Sequence, residues 1–156
     1  MGATTIWERW NAVLPDGVIS GIKMNSMNHY AYGSIVEWMY RNMCGINPLE
    51  EAPGFKRVRL APEPDRRVGM ASASIASPAG RYESAWRYGE DGSVNYTFTV
   101  PFDGQADLVL YGVNLEQLTV NGIPVSQAGI GARQEGEDVK ATLNAGTYAI
   151  VNAASC

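Results

Sequence analysis

A change of hydrophobic period partway along the chain limits its fold more than any other feature. In SVNYTFTV, Val94, Tyr96, Phe98 and Val100 fall on one side of an extended chain and Asn95, Thr97 and Thr99 on the other, which predicts a half-buried strand. Further strand-like stretches are FKRVRLA, VGMASASIA, RYESAWRY, ADLVLYG, EQLTV, EDVKATL and TYAIV, with turn signals at Glu90-Asp91-Gly92-Ser93 and Asn121-Gly122 between them. Short strands with close turns and no intervening helix predict an antiparallel β-sandwich. Asn121-Gly122, flanked by Leu118–Val120 and Ile123–Val125, suits a two-residue type I′ hairpin, and Pro124 confines its second arm to an edge. Pro62-Glu63-Pro64-Asp65 predicts a rigid turn joining the first two strands.

Ahead of these strands, Asn28 to Gly45 carries a helical pattern instead. Tyr32, Ile35, Val36, Met39 and Met43 recur at spacings of three and four, so a helix over this range puts them on one face. Arg41 suits the negative end of the helix dipole, and Gly45 suits the left-handed residue that ends a helix. Trp38 and Tyr40 lie off the stripe, so the helix is apolar on more than one side and calls for neighbours that one helix does not supply.

At 156 residues, 46% hydrophobic and 18% charged, the chain can bury one ordinary core, with room for an appendage but not for a second large domain. Its net charge is −4, and the basic residues are scattered except in KRVR and DRR. That distribution argues against a nucleic-acid or membrane partner and favours an uncharged ligand. No apolar run approaches the roughly 20 residues of a membrane-spanning helix. Any export signal is expected upstream of Met1, so the compartment stays open. Cys44 and Cys156 read as free thiols, and with His29 the lone histidine no metal site and no cofactor are expected.

The chemistry-bearing stretch is ATTIWERW, where Glu8 stands between Trp7 and Trp10 with Arg9 beside it. A carboxylate among indoles needs partners for its charge and for the indole N–H groups, and the cluster reads as part of a pocket. Tyr82, Trp86 and Tyr88 alternate along one predicted strand and share a face, which reads as core or domain contact ahead of a sugar platform.

Together, GATTIWERW, MNHYAYGSIVEWMYRNMCGI, PGFKRVRLAPEPDRRVG and SPAGRYESAWRY resemble the C-terminal end of bacterial α-L-rhamnosidases of glycoside hydrolase family 78, over about residues 1–100. The resemblance implies a mainly β fold: an antiparallel β-sandwich preceded by one or two helices left over from an (α/α)6 barrel. Residues 1–49 would be the end of the catalytic barrel and 50–156 the C-terminal sandwich. The parent enzyme would cleave terminal α-L-rhamnose with inversion. Glu8 matches the family's general base and His29 a sugar-contacting histidine.

Inverting hydrolysis pairs a proton-donating acid with a carboxylate roughly 6.5–9.5 Å away that activates water on the opposite face of the sugar. Glu8 would be the second member, ionised at working pH and helped by Arg9 if that side chain turns inward. Trp7 and Trp10 would wall the apolar face of a deoxy sugar. The acid belongs to earlier barrel segments with no counterpart here, so the isolated chain is expected to be inactive. The expected partners are a rhamnose-containing glycoside in the parent, the remainder of the barrel, and a second copy covering the orphaned barrel surface in a homo-oligomer. A different glycosidase on the same barrel, a carbohydrate-binding sandwich, and a sandwich that only braces the barrel are carried as alternatives, with bracing ranked above binding.

Overall fold

The computed structural model describes residues 3–154, so Cys156 lies outside the described residues. The chain forms two compact units, the first ending at Trp38 and the second starting at Met39.

The first unit is mostly loop. A tight turn at Asp16-Gly17 closes a bridge between Val13 and Ile19, with the Leu14 N–H donating to the Val18 carbonyl at 2.8 Å. The Asp16 carboxylate accepts the Val18 N–H at 3.0 Å, a local side-chain bond that suits a turn better than a helix. Two single-turn helices follow, α1 (Tyr30–Gly33) and α2 (Ile35–Trp38), and neither contains a buried residue.

The continuous helix expected over residues 28–45 is therefore broken. Gly33-Ser34 interrupts it, and the Ser34 hydroxyl donates to the Ala31 carbonyl at 2.8 Å, competing with the helical ladder. Of the anticipated apolar stripe, Tyr32, Ile35, Val36 and Met39 are exposed. Helices this short have marginal stability in water unless a packed face holds them.

The second unit opens with a π-helical turn, Met39–Met43, in which the Cys44 N–H donates back to the Met39 carbonyl at 3.0 Å. Gly45 stops it as anticipated, at φ 73°, and a Cβ there would collide with the backbone of Ala61 and Pro62.

Among the described residues, eleven strands then build two sheets. The five-stranded sheet runs β1-β2-β6-β10-β9, from β1 (Ile46–Pro48), β2 (Arg57–Leu60), β6 (Gln105–Leu110), β10 (Asp138–Leu143) and β9 (Arg133–Glu135). The six-stranded sheet runs β3-β4-β5-β11-β7-β8, from β3 (Met70–Ser77), β4 (Gly80–Tyr88), β5 (Val94–Val100), β11 (Gly146–Asn152), β7 (Leu118–Val120) and β8 (Ile123–Pro124). Every named pairing is antiparallel except β2 with β6. The mainly β, antiparallel-rich architecture anticipated from the alternating runs is thus present.

Alternation decides the core. Val94, Tyr96, Phe98 and Val100 face inward from β5, Leu108 and Leu110 from β6, and Val139 and Leu143 from β10. Burying side chains of this size contributes about 1.5–3 kcal/mol each. Tyr82 and Trp86 on β4 are core residues, and their polar ends are satisfied. The Tyr82 hydroxyl donates to the Lys56 carbonyl at 3.0 Å, and the Trp86 indole N–H to the Met43 carbonyl at 2.6 Å.

The Asn121-Gly122 hairpin is present, with Val120 paired to Ile123 and both turn residues at positive φ, 51° and 82°. Pro124 lies on the edge strand β8. The connection from β2 to β3 turns later than expected. Residues 62–65 carry no regular structure, and the turn follows at residues 66–68, organised by Asp65, whose carboxylate takes the Arg67 N–H at 2.8 Å and whose carbonyl takes the Val68 N–H at 3.0 Å. Paired prolines favour extended backbone, which leaves the reversal to the residues after them.

Candidate functional site

The carboxylate of interest lies wholly within the first unit. Glu8 is half-buried, and its backbone N–H donates to the Ser26 carbonyl at 2.8 Å. One carboxylate oxygen, Oε2, accepts the Ser26 N–H at 3.1 Å, so a single residue clamps both the main chain and the side chain. No protein group among the described residues bonds the other oxygen. Glu8 borders a cavity of about 840 Å³ together with Thr5, Ile6, Trp7, Trp10 and Tyr32, a size within the usual range for small-molecule sites.

The two indoles differ. Trp7 is half-buried, whereas Trp10 is 97% exposed, so Trp10 offers its ring to whatever fills the space beside Glu8 rather than packing into this unit. Arg9 turns away from the carboxylate next to it. Its Nε donates to the Met24 carbonyl at 2.8 Å, and its Nη2 to Ser20 Oγ at 2.6 Å and Asn25 Oδ1 at 2.8 Å. The guanidinium thereby staples the loop of residues 20–25. Asn25 extends the same staple with side-chain bonds to the Ser20 and Ile22 carbonyls. The expectation that Arg9 could bias the ionisation of Glu8 depended on an inward side chain, and this geometry gives it a scaffolding task instead.

His29 reaches the site by a different route. Its N–H donates to the Ile6 carbonyl at 2.9 Å, which ties the start of α1 to the loop carrying Glu8. It precedes α1 in extended conformation without capping it through its side chain. The imidazole lies 5.0 Å from the Tyr32 ring, centroid to centroid, and the Tyr32 hydroxyl donates to the Glu8 carbonyl at 3.3 Å. His29 itself does not line the cavity.

Two contributors were not legible beforehand. Tyr32 belongs to the helical stripe and reads as packing, yet it is exposed and lines the cavity. Ser26, the residue that holds Glu8, sits in an MNSMN segment with no period or motif to mark it. Its hold is made through backbone groups, which side-chain identity does not reveal.

Comparison with known proteins agrees along both units. The family described as bacterial alpha-L-rhamnosidase C-terminal domain matches residues 45–122, and the bacterial alpha-L-rhamnosidase 6 hairpin glycosidase domain matches residues 1–43. An alpha-L-rhamnosidase of Alteromonas sp. (strain LOR) is 40% identical over 108 residues, covering 69% of this chain and 11% of that protein. One from Streptomyces avermitilis is 42% identical over 107 residues, covering 69% of this chain and 10% of that protein. The crystal structure of Streptomyces avermitilis alpha-L-rhamnosidase complexed with L-rhamnose superposes with a TM-score of 0.75 at 32% identity, over 96% of this chain and 14% of that one. The alpha-L-rhamnosidase of Aspergillus terreus gives a TM-score of 0.61 at 33% identity, over 70% of this chain and 12% of that one. The chain spans only about a tenth of the length of the curated relatives it matches. With matching segments on both sides of residue 44, the chain belongs to the bacterial alpha-L-rhamnosidase family.

Proposed function

We propose that this chain is the C-terminal part of an enzyme that hydrolyses terminal α-L-rhamnosides with inversion, and that Glu8 is its general base. The observation that carries the reading is the state of Glu8: half-buried, gripped through one oxygen by Ser26, with no described protein group on the other, and lining a cavity together with Trp7, Trp10 and Tyr32. A carboxylate fixed through one oxygen has its second lone-pair set free to take a proton from water. Trp7 and Trp10, which line the cavity, would receive the apolar face of the sugar, whereas a hydroxyl contact from His29, which does not line it, rests on the family resemblance alone.

The catalytic part on this reading ends just before β1, because Ile46–Pro48 already pairs with β2 of the sandwich. The many exposed apolar side chains of the first unit, among them Ile6, Ile22, Met24 and Tyr30, would then meet the rest of an (α/α)6 barrel. A second copy of the chain is the competing cover when the chain is alone. Without an acid and without the other barrel helices the isolated chain would not turn over a rhamnoside.

The test uses the full-length enzyme. Glu8→Gln keeps the Ser26 contact and should abolish most turnover of an aryl α-L-rhamnoside while rhamnose binding survives. Near-normal turnover would remove Glu8 from the base role. Turnover of glucosides or fucosides in preference to rhamnosides would instead overturn the sugar assignment.

Within the second unit, one observation favours a bracing role for the sandwich. Ser84 Oγ donates to the Cys44 carbonyl at 2.5 Å and the Trp86 indole to that of Met43, so two core side chains of β4 grip the end of the π-helical turn.

A further inference from the structure

The outer face of the five-stranded sheet carries a groove that the reading of Glu8 does not use. Val58, Leu60, Leu108, Leu110, Val139 and Leu143 point into the core, so the residues alternating with them point outward. Cα register places Arg59 of β2 beside Asp107 of β6, and Asp107 beside Thr142 of β10. Two residues further along, Val109 of β6 lies beside Lys140 of β10, which lies beside Arg133 of β9. The groove over these rows measures about 470 Å³ and is bounded further by Arg57, Asp138 and Tyr111.

Basic residues that are scattered in the sequence are gathered here, since four of the chain's twelve, Arg57, Arg59, Arg133 and Lys140, line one groove of a protein with net charge −4. Three of the four are engaged. Arg57 donates to Asp107 at 2.8 Å, and Arg133 and Lys140 both reach Glu135 at 2.5 Å. Those two donors hold the Glu135 carboxyl below the usual carboxylate range. Arg59 has no ion-pair partner among the described residues and is exposed.

The remaining lining narrows the ligand class. Asp107 and Asp138 interrupt the continuous positive surface that nucleic acid needs, and each has lone pairs suited to hydroxyl donors. Asp138 is itself oriented by the Gly112 N–H at 3.2 Å. Val109 gives a half-buried apolar floor and Tyr111, 49% exposed, an aromatic wall. One free guanidinium, acceptors for hydroxyls and an apolar floor together match a pyranose bearing a single carboxylate. We propose that this groove is a non-catalytic binding site for a uronic acid unit of an acidic glycan, with Arg59 taking the carboxylate. The groove uses no residue of the first unit, so either assignment can fail while the other holds.

Calorimetric titration of the whole chain with trigalacturonate, its fully methyl-esterified form and polyglutamate tests this. Trigalacturonate should bind, the ester should bind at least about tenfold more weakly, and polyglutamate should not compete. Arg59→Ala should weaken trigalacturonate binding about tenfold, and amide NMR shifts on titration should cluster at Val109, Tyr111 and Lys140. Arg59 is exposed, and an unchanged circular dichroism spectrum would show that the variant keeps its fold. Equal binding of polyglutamate would reduce the groove to general charge attraction. Undiminished affinity in Arg59→Ala, or no binding of trigalacturonate, would overturn the proposal.

Discussion

The two units of this chain contain similar apolar side chains and use them in opposite ways. In the sandwich, Tyr82, Trp86, Phe98 and Leu108 are enclosed between sheets. In residues 3–38, Ile6, Trp10, Ile22, Met24, Tyr30 and Trp38 are all exposed, and Ala12 and Ser20 are the buried residues. The sandwich satisfies itself, because strand alternation gives each sheet a face for the other to cover. The first unit is held mainly by hydrogen bonds, the Arg9 staple and the Ser26 clamp, and offers its apolar surface outward. That balance is what the proposed reading of the first unit as part of a larger catalytic domain requires.

The contrast can be attacked at points of descending effect. The largest effect belongs to Glu8→Gln in the full-length enzyme, where the proposed base role requires kcat on a rhamnoside to fall by roughly 100- to 10,000-fold with little change in rhamnose affinity. Second is the sandwich core, where Trp86→Ala should cost about 3–5 kcal/mol in thermal unfolding of the chain. Trp86→Phe, which keeps ring packing but loses the bond to Met43, should cost less. If the two variants proved equal, the hydrogen bond rather than the core would dominate at this position.

Third comes Gly45→Ala, which forces a side chain into a left-handed residue packed against Ala61 and Pro62 and should cost about 1–3 kcal/mol. Amide hydrogen exchange should separate the units without any substitution. Residues of β5 and β11 should exchange only through global opening, while most amides of residues 3–38 exchange far faster. Comparable protection in both would contradict the picture of a first unit that lacks a core.

The smallest effect concerns pH. Hydrogen bonds from Arg67 lower the Asp65 carboxyl to about 2. A depressed folded-state value means that the contribution is fully present above the ordinary carboxylate range near pH 4 and fades as pH falls toward 2. Asp65→Asn should therefore flatten the acid limb of the stability curve slightly and leave neutral pH nearly unchanged, since the pair is exposed and water-screened. A loss at neutral pH as large as that of Gly45→Ala would show that the turn at Asp65 matters more than its exposure implies.

Sequence reading succeeded where the signal is local and repeated. Each long strand alternates, and Asn121-Gly122 names its own turn through two positive φ angles. It missed β1 and β9, whose sequences Ile46-Asn47-Pro48 and Arg133-Gln134-Glu135 carry no alternation and form only because longer strands lie beside them. The helix over residues 28–45 was over-read, because period alone does not report that Gly33-Ser34 weakens the middle or that no packed face supports it. At the site, the identity of Glu8 was conspicuous between its tryptophans, whereas the clamp by Ser26 and the bonding of Arg9 to Ser20, Met24 and Asn25 depend on loop geometry. The groove over β2, β6, β9 and β10 was hidden for a related reason. Arg59 and Lys140 are far apart in sequence and are brought together only by the order of strands in the sheet.

That strand order also has a kinetic consequence. β2 and β6 run side by side in the same direction, yet the whole stretch from Ala61 to Gly104, with β3, β4 and β5, is committed to the opposite sheet. The β3–β4–β5 meander can assemble from neighbouring hairpins, but the β1–β2 ribbon has no place to dock until β6 has been threaded back across it. Closure must wait for distant partners to meet, so refolding should be slow for a protein of this size, with the meander structured early and the ribbon last.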